Sequence, residues 1–327
     1  MPELRQDLVS GDWVIIAPGR EKRPHFLSEP KRIRKPSPKE TCPFEDLEAS
    51  GNRPIALYPA GAKSWKIAVV PNKYPALVHG GECAVPLREG IYTMKDGIGD
   101  HWLIIGRDHK KNFAALPLAD AVDLFRAIQD RYRAAAEDRC VEYATGFFNW
   151  GPLAGASVWH PHYQFLAMPA VPAHIARSLR NAEAYFKKRG ACARCAVIAF
   201  ERREKKRVIA ENARAIAVAP YASKSRYEVS VMPKRHAVAF EAASTEVLRD
   251  TAAILQEVLR SIKKRLNDPD LNFFIHSAPI DGRPYPHHHW HIEIMSRIPP
   301  PQAGFEFSTG VYITTIAPEA AARLLKT

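Results

Sequence analysis

The sequence has no long hydrophobic run. Its apolar segments are short, such as residues 14–17, whereas a membrane-spanning helix needs roughly 18–20 apolar residues. Residues 1–7 carry charges with no apolar stretch behind them, so we do not expect a secretory signal. These absences predict a cytoplasmic protein that has no membrane partner.

Cysteine is scarce: the 327 residues include five. Two of them form Cys192-x-x-Cys195, and in a reducing compartment this spacing indicates a metal site or a redox pair before a structural disulfide. A redox pair would be expected beside a thioredoxin-like βαβ pattern, which the flanking sequence lacks, so a metal site is favoured. Cys83 and Cys140 are interpreted as thiols without a role.

Side-chain amides are also few, because Asn and Gln together number 13 while Pro numbers 27, above its usual ~5 %. Together with a high content of Lys and Arg, this composition is typical of a heat-stable protein.

Acidic residues are outnumbered, since 47 Lys and Arg face 35 Asp and Glu, a net charge of +12. Such an excess predicts an anionic partner, either a nucleic acid or a phosphorylated small molecule. No segment clearly interleaves aromatic residues with basic ones, as a single-strand binder would, so small molecules are favoured. With 46% apolar and 25% charged residues, the chain is globular, and its length predicts about two domains.

Several features occur twice, in the same order. His109 and His236, His162 and His289, and Met168 and Met295 are each 127 residues apart, and both halves contain a Phe-Phe pair and an early cysteine motif. A shared offset predicts a tandem duplication, with one half over residues 1–175 and the other over 176–327.

Each half has one long stretch with helical periodicity. Apolar residues recur at three- and four-residue spacing over residues 118–139 and 245–266, and Ser244 provides a capping start for the second helix. The surrounding segments are short, β-branched and bounded by Pro, Gly or Asn, which is typical of strands. The fold class predicted from this pattern is α+β, with helices laid against antiparallel sheet.

The most informative segment is a Gly- and Pro-containing loop, residues 149–159, that leads into His160-Pro161-His162-Tyr163-Gln164. Alternate residues of a strand share a face, so His160, His162 and Gln164 point the same way. A neutral imidazole can attack phosphorus and form a covalent intermediate. Amide donors such as Gln164 can hold the charge on phosphoryl oxygens. An isolated His-x-His is also compatible with packed or metal-binding histidines.

This motif and its upstream loop resemble the signature of the galactose-1-phosphate uridylyltransferase family, of the histidine-triad superfamily. The residues that match in spacing are Asn149, Gly155, Ser157, His160, His162 and Gln164. Other similar segments follow family order along nearly the whole chain: residues 11–20, 22–24, 42–44, 71–75, 108–109 and 304–306. The resemblance implies two tandem histidine-triad-like half domains, each an antiparallel sheet with a long helix, and a homodimer.

The resemblance also implies a reaction. In that family the second histidine of the motif attacks UDP-glucose, releases glucose 1-phosphate, and passes the uridylyl group to galactose 1-phosphate in galactose metabolism (the Leloir pathway). Carried over, His162 is the nucleophile of a ping-pong reaction, and His160 and Gln164 belong to the same catalytic motif. The substrate-binding residues would be Asn149, Gly155, Ser157, Asn72, Arg20, Arg23 and Glu306.

Family members often bind structural zinc through two cysteines and two histidines. The corresponding first-half set is Cys42, Glu45, His109 and His160, with Glu45 in place of the usual second cysteine. The repeat predicts a second zinc site from Cys192, Cys195, His236 and one of His287, His289 and His291. The 127-residue offset points to His287, whereas similarity to the plant ADP-glucose phosphorylase branch favours His289.

The substrates stay open at this point. Residues 304–313 resemble a branch shared by short uridylyltransferases and ADP-glucose phosphorylase relatives. The base is therefore uracil or adenine, and the acceptor is galactose 1-phosphate or inorganic phosphate. A basic, zinc-stabilised nucleic-acid-binding protein is a third hypothesis, from a different class.

Overall fold

The computed structural model describes residues 1–22, 36–61, 64–299 and 302–327. In these ranges the strands are β1 (Glu3–Gln6), β2 (Trp13–Ile16), β3 (Ala56–Tyr58), β4 (Ile67–Pro71), β5 (Leu87–Glu89), β6 (Tyr92–Met94), β7 (Asp100–Gly106), β8 (Tyr143–Trp150), β9 (His162–Met168), β10 (Val208–Glu211), β11 (Ala215–Val218), β12 (Val229–Pro233), β13 (Leu271–His276), β14 (His291–Ser296) and β15 (Tyr312–Thr314). The helices are α1 (Leu118–Glu137), α2 (Ala173–Arg189), α3 (Ala193–Glu204), α4 (Thr245–Arg265), α5 (Gly304–Thr309) and α6 (Pro318–Leu325). None of them combines the length and apolar character that crossing a membrane requires.

Ten strands form one antiparallel sheet, in the order β10-β11-β12-β14-β13-β8-β9-β7-β4-β3. Outward from the centre, the first-half strands run β8, β9, β7, β4, β3, and the second-half strands run β13, β14, β12, β11, β10. The two series therefore have the same order, and they meet where β8 pairs with β13. The α+β fold is confirmed, while the domain boundary near residue 175 stays a prediction.

The inner strands are covered on both faces. On β4, Ile67 and Val69 point into the main hydrophobic core with the side chains of α1 and α4. Ala68 and Val70 point to the opposite face, where they pack with Phe44. A strand buried on both faces needs a continuous apolar run rather than an alternating one, which explains the sequence of β4.

The two predicted long helices are confirmed as α1 and α4, with ends within two residues of the prediction. Both helices bury an apolar stripe against the sheet, as their three- and four-residue spacing requires. Ser244 is the N-cap of α4, and its hydroxyl accepts a hydrogen bond from the Val247 N–H at 3.4 Å.

The prediction of one long helix in each half omitted α2 and α3. These helices lie after the first histidine strand, and α3 packs Ile198 against Ile216 and Met232 on the second face of the sheet. α2 carries a short buried stripe, which includes Ile175 and Leu179, among many basic residues. A weak stripe of this kind gives little periodic signal in the sequence.

The N-terminus lies against the second half. β2 pairs in parallel with β15 next to the C-terminus. The guanidinium of Arg5 donates to Glu319 at 2.9 Å, and Arg207 contacts the same carboxylate at 2.7 Å. Residues 1–17 therefore pack where sequence order alone would not place them.

A disulfide joins Cys83 to Cys140. It ties the segment before β5 to the turn between α1 and β8, and it corrects the interpretation of these two residues as thiols without a role. Their separation of 57 residues follows no local motif, so the pairing depends on the tertiary fold.

Two buried glutamines connect the halves reciprocally. The Gln129 amide on α1 donates to the carbonyl groups of Phe240 and Ala243 at 2.9 and 3.0 Å. The Gln256 amide on α4 donates to those of Phe113 and Leu116 at 2.9 and 2.8 Å. Each long helix thus holds the loop that precedes the long helix of the other half.

We expect Gln129→Leu and Gln256→Leu each to lower the free energy of unfolding by about 2–3 kcal/mol, because each removes two hydrogen bonds to backbone carbonyl groups. Urea denaturation followed by circular dichroism measures the change. Gln302→Leu, at an exposed position, is the matched control. A decrease in the free energy of unfolding below about 0.5 kcal/mol, the range of ordinary surface changes, would show that the two glutamines do not stabilise the contact between the halves.

Candidate active site

His162 begins β9, and a hydrogen bond to the backbone sets the direction of its ring. Its Nδ1 lies 2.9 Å from the carbonyl oxygen of His160. A carbonyl only accepts, so Nδ1 carries the proton and Nε2 keeps a free lone pair. Burial lowers the pKa of His162 below its usual value, which favours the neutral ring. The arrangement presents a neutral nucleophilic nitrogen in a fixed direction.

Gln164 lies two residues further on the same strand and therefore on the same face as His162. Its Oε1 is 2.9 Å from the Nε2 of His101 on β7. Asn72 lies at the end of β4, and its side-chain nitrogen is 3.0 Å from the same ring atom. The structure thus brings together Gln164 and Asn72 through His101, a residue that no sequence motif indicated.

The loop before the motif is held by the second half of the chain. The Asn272 amide donates to the Asn149 side-chain oxygen at 2.8 Å and to the Ala154 carbonyl at 2.9 Å. Asp270 accepts from the Leu153 N–H at 2.7 Å. The first-half loop therefore depends on strand β13 for its shape.

Gly155 closes this loop with a positive φ of 86°, a conformation that favours glycine. A Cβ there would lie 3.6 Å from the Asn149 side-chain nitrogen, so space is not the constraint and backbone conformation is. Ser157 follows in an exposed position. Its predicted phosphate contact stays a prediction.

The three charged residues predicted to bind substrate differ in what the structure describes around them. Arg20 lies in a short 3-10 helix after β2, and its role stays a prediction. Arg23 lies outside the described residues. The carboxylate of Glu306 accepts from the Ala303 N–H at 3.0 Å, which caps α5 locally, so a substrate contact for Glu306 also stays a prediction.

Cys42, Glu45, His109 and His160 converge beside the nucleophile, with one ligand atom from each within 4.8 Å of the others. The Nε2 atoms of His109 and His160 lie 2.9 and 2.6 Å from carbonyl groups, so each Nδ1 keeps a lone pair directed inward. The His109 Nδ1 is only 2.7 Å from a Glu45 oxygen, yet both atoms are buried without a hydrogen-bond partner. Two lone pairs held face to face fit a cation between them.

The second cluster contains Cys192, Cys195, His236 and His289, with ligand atoms within 4.8 Å of one another. The Cys195 sulfur is 3.5 Å from the His236 Nδ1 and 3.4 Å from the His289 Nδ1. Nitrogen and sulfur ligands of a tetrahedral metal are separated by about 3.6 Å. His289 also directs Nε2 to the Pro233 carbonyl at 3.0 Å, as His160 does to Gly106, so this donor set fits a metal ion.

The hydrogen bonds correct the offset between the halves. β9 begins at His162 and β14 at His291, and each of these rings directs Nδ1 to the carbonyl of the histidine two residues before it. Gln164 therefore corresponds to Glu293, which is 129 residues away rather than 127, since each lies two residues after the first histidine of its strand. By the same register His160 corresponds to His289, and the offset that pointed to His287 is wrong for this segment.

His291 is consequently the second-half counterpart of His162. Its Nδ1 lies 3.2 Å from the His289 carbonyl, the same arrangement as in the first half. Its Nε2, however, is 2.7 Å from the Arg194 guanidinium. Because a guanidinium only donates, the lone pair that would act as nucleophile is already used.

His276 and Glu293 complete a third group of possible metal ligands with His291. The His276 Nε2 lies 3.3 Å from a Glu293 oxygen, and the two histidine rings stack at 4.5 Å. Since Arg194 occupies the free nitrogen of His291, this arrangement does not fit a cation. Sequence reasoning had no means to find Arg194, which lies inside the Cys192-x-x-Cys195 pair.

Comparisons with known proteins show which family the chain belongs to. The family model described as Domain of unknown function (DUF4921) matches residues 120–326. A protein from Arabidopsis thaliana named ADP-glucose phosphorylase is 32% identical over 333 residues, covering 99% of this chain and 92% of the relative. The galactose-1-phosphate uridylyltransferase of Thermotoga maritima is 26% identical over 338 residues, covering 100% and 98%.

Comparison with solved structures finds the same two kinds of enzyme. A crystal structure of an ADP-glucose phosphorylase from Arabidopsis thaliana with bound ADP-glucose covers 100% of this chain and 99% of its own, with a TM-score of 0.85 and 29% identity. A uridylyltransferase structure covers 100% and 98%, with a TM-score of 0.76 and 25% identity. Fold and site together define a nucleotidyltransferase of the histidine-triad type. The chain belongs to the galactose-1-phosphate uridylyltransferase-like family.

We expect the metal of each cluster to be lost independently of the other when one of its cysteines is replaced. Cys195→Ser and Cys42→Ser should each remove one metal equivalent per chain, since a closed site loses a thiolate ligand. Metal analysis by mass spectrometry measures the content after loading and desalting. The double variant Cys83→Ser/Cys140→Ser removes cysteines outside both clusters and should keep the full content. Equal metal in all variants would contradict the assignment.

Proposed function

We propose that the protein transfers a nucleotidyl group from a nucleoside diphosphate sugar to a second phosphate, with His162 as the covalent carrier. The single observation that carries this proposal is the His162 ring, whose Nδ1–H donates to the His160 carbonyl at 2.9 Å. The lone pair of Nε2 is thereby left for attack, on the face of β9 that also carries Gln164. Family membership supports the same chemistry.

In the first half-reaction the Nε2 of His162 attacks the α-phosphorus. A phosphorus–nitrogen bond forms, and the bond between the α-phosphorus and the oxygen of the sugar phosphate breaks, so sugar 1-phosphate leaves. The ring then carries a positive charge, which the His160 carbonyl stabilises through the Nδ1–H. In the second half-reaction a phosphate oxygen of the acceptor attacks the same phosphorus and the phosphorus–nitrogen bond breaks.

Polar donors around the loop would hold the non-bridging phosphoryl oxygens, whose charge changes during the transfer. Gln164 contributes a side-chain amide, and Asn149 contributes its nitrogen, because its oxygen already accepts from Asn272. Ser157 and Arg20 are proposed to add further contacts. Donors that are fixed before the reaction stabilise such charge more than mobile ones do.

We propose that the base of the nucleotide is adenine and that the acceptor is inorganic phosphate. This first candidate makes the protein an ADP-glucose phosphorylase. The support is the 32% identity to the Arabidopsis relative of that name, along 99% of this chain, and the TM-score of 0.85 to a structure with bound ADP-glucose. The second candidate is the exchange of UMP between UDP-glucose and galactose 1-phosphate, supported by the Thermotoga relative at full coverage.

We propose that zinc occupies both metal clusters in a structural role. Two thiolates and two imidazoles form a common closed zinc site, which supports zinc in the second half. In the first half the metal would hold the ring of His160, whose carbonyl orients His162. With one carboxylate in place of a thiolate, that cluster offers a harder donor set.

The homodimer and the absence of a nucleic-acid partner stay predictions. The β5–β6 hairpin offers one surface for association, because Ile91 is 91% and Tyr92 70% exposed. Exposed apolar patches of this kind often mark protein contacts.

The nucleotide is tested by mixing the enzyme with ADP-glucose or UDP-glucose alone and measuring its intact mass. We expect a single AMP adduct from ADP-glucose, and none with His162→Ala, because that variant lacks the attacking nitrogen. His291→Gln is the matched control and should keep the adduct. An adduct from UDP-glucose alone supports the second candidate, and no adduct from either sugar nucleotide would overturn the proposal of a covalent carrier.

The acceptor is tested by adding a second substrate to the isolated adduct. We expect inorganic phosphate to discharge it and release ADP, because a phosphate oxygen attacks the histidine-bound phosphorus. Chromatography of the released nucleotide gives the rate. Discharge by galactose 1-phosphate and not by inorganic phosphate would identify a hexose-1-phosphate transferase instead.

A further inference from the structure

We propose that His101 is a positioning residue that fixes the orientation of the Gln164 amide. This inference rests on the proposed function, because it assigns a task to a residue beside the reacting phosphate. His101 lies outside the His-Pro-His-x-Gln motif that contains His162 and Gln164. It is placed by the pairing of β7 with β9, in which Leu103 lies opposite Gln164.

The proton of the His101 ring is located by its two neighbours. The backbone N–H of Ala76 donates to the His101 Nδ1 at 3.1 Å. A backbone N–H only donates, so Nδ1 is an acceptor and the neutral ring carries its proton on Nε2. That Nε2–H donates to the Gln164 side-chain oxygen at 2.9 Å.

The direction of this hydrogen bond decides what Gln164 presents to the substrate. With its oxygen held by His101, the amide NH₂ is left to donate to a phosphoryl oxygen. Without His101 the amide can rotate by half a turn, which exchanges its oxygen and nitrogen. A carbonyl oxygen turned toward a phosphoryl oxygen repels it, so only one of the two orientations helps the transfer.

The position of His101 is itself fixed. The backbone N–H of Asn72 donates to the His101 carbonyl at 2.9 Å, and its side-chain oxygen accepts from the Tyr74 N–H at 3.0 Å. The NH₂ of Asn72 is therefore directed to the ring, 3.4 Å from the acceptor Nδ1. Its 3.0 Å separation from Nε2 joins two donor nitrogens and is not a hydrogen bond. A sequence of fixed groups thus runs from the Asn72–Ala76 turn through His101 to Gln164.

The test is a double-mutant cycle on the first half-reaction, measured as the rate of adduct formation under single-turnover conditions with the sugar nucleotide that reacts with the wild type. Gln164→Ala should slow transfer by about 100-fold, the effect of losing one oxyanion donor, and His101→Leu by about 10-fold or more. In the Gln164→Ala background, His101→Leu should have no further effect. His101→Gln restores a side-chain N–H donor and should recover most of the rate.

Two controls separate positioning from a general loss of structure. His79→Leu changes another histidine near this segment, one whose ring is 2.9 Å from the Asp138 carboxylate, and should leave the rate unchanged. Circular dichroism and the melting temperature of His101→Leu should match the wild type. The dissociation constant of the sugar nucleotide should change less than the rate, because the amide acts mainly on the transferring phosphate.

Two results would overturn the inference. One is an equal slowing by His101→Leu with and without Gln164, and the other is a His101→Leu variant as fast as the wild type. Failure of the proposed function has a different signature, since the wild-type protein itself would then form no adduct with any sugar nucleotide.

Discussion

The pairing of β8 with β13 is the interaction on which the rest of the structure depends. It joins two five-stranded series into one sheet, so that α1 and α4 bury their apolar stripes in a single core. It also places Asp270 and Asn272 of the second half under the loop that leads to His162. The nucleophile therefore belongs to one half, while the shape of its loop is set by the other.

The two halves show how one backbone arrangement supports different chemistry. His162 and His291 both direct Nδ1 to the carbonyl of the histidine two residues before. In the first half the other nitrogen has no hydrogen-bond partner among the described residues, whereas in the second half Arg194 donates to it. A single guanidinium thus separates a possible nucleophile from a structural histidine. The same duplication repeats a metal-ligand cluster in both halves, where backbone carbonyl groups orient His109, His160 and His289.

Much of the fold could be predicted from periodicity, because α1 and α4 carry strong apolar stripes and both were located within two residues. Periodicity missed α2 and α3, whose buried faces are short. The repeat predicted a second metal cluster but gave the wrong offset for its last histidine. The connection between β13 and β14 (residues 277–290) is longer than that between β8 and β9 (residues 151–161), so an offset taken from other residues does not hold across it. The disulfide between Cys83 and Cys140 left no signal, since no local spacing relates its cysteines.

The sequence by itself determined the α+β class, the repeated order of motifs, the His-Pro-His-x-Gln strand and the family it resembles. These depend on the spacing of residues that are close together in the sequence, so they can be recognised from the sequence directly. Only the tertiary structure decided which ring nitrogens are free and which side chains orient them, as His101 does for Gln164 and Arg194 for His291. Such contacts join residues 63 and 97 positions apart. The geometry of these contacts comes from strand register and helix packing, so no local sequence pattern predicts them.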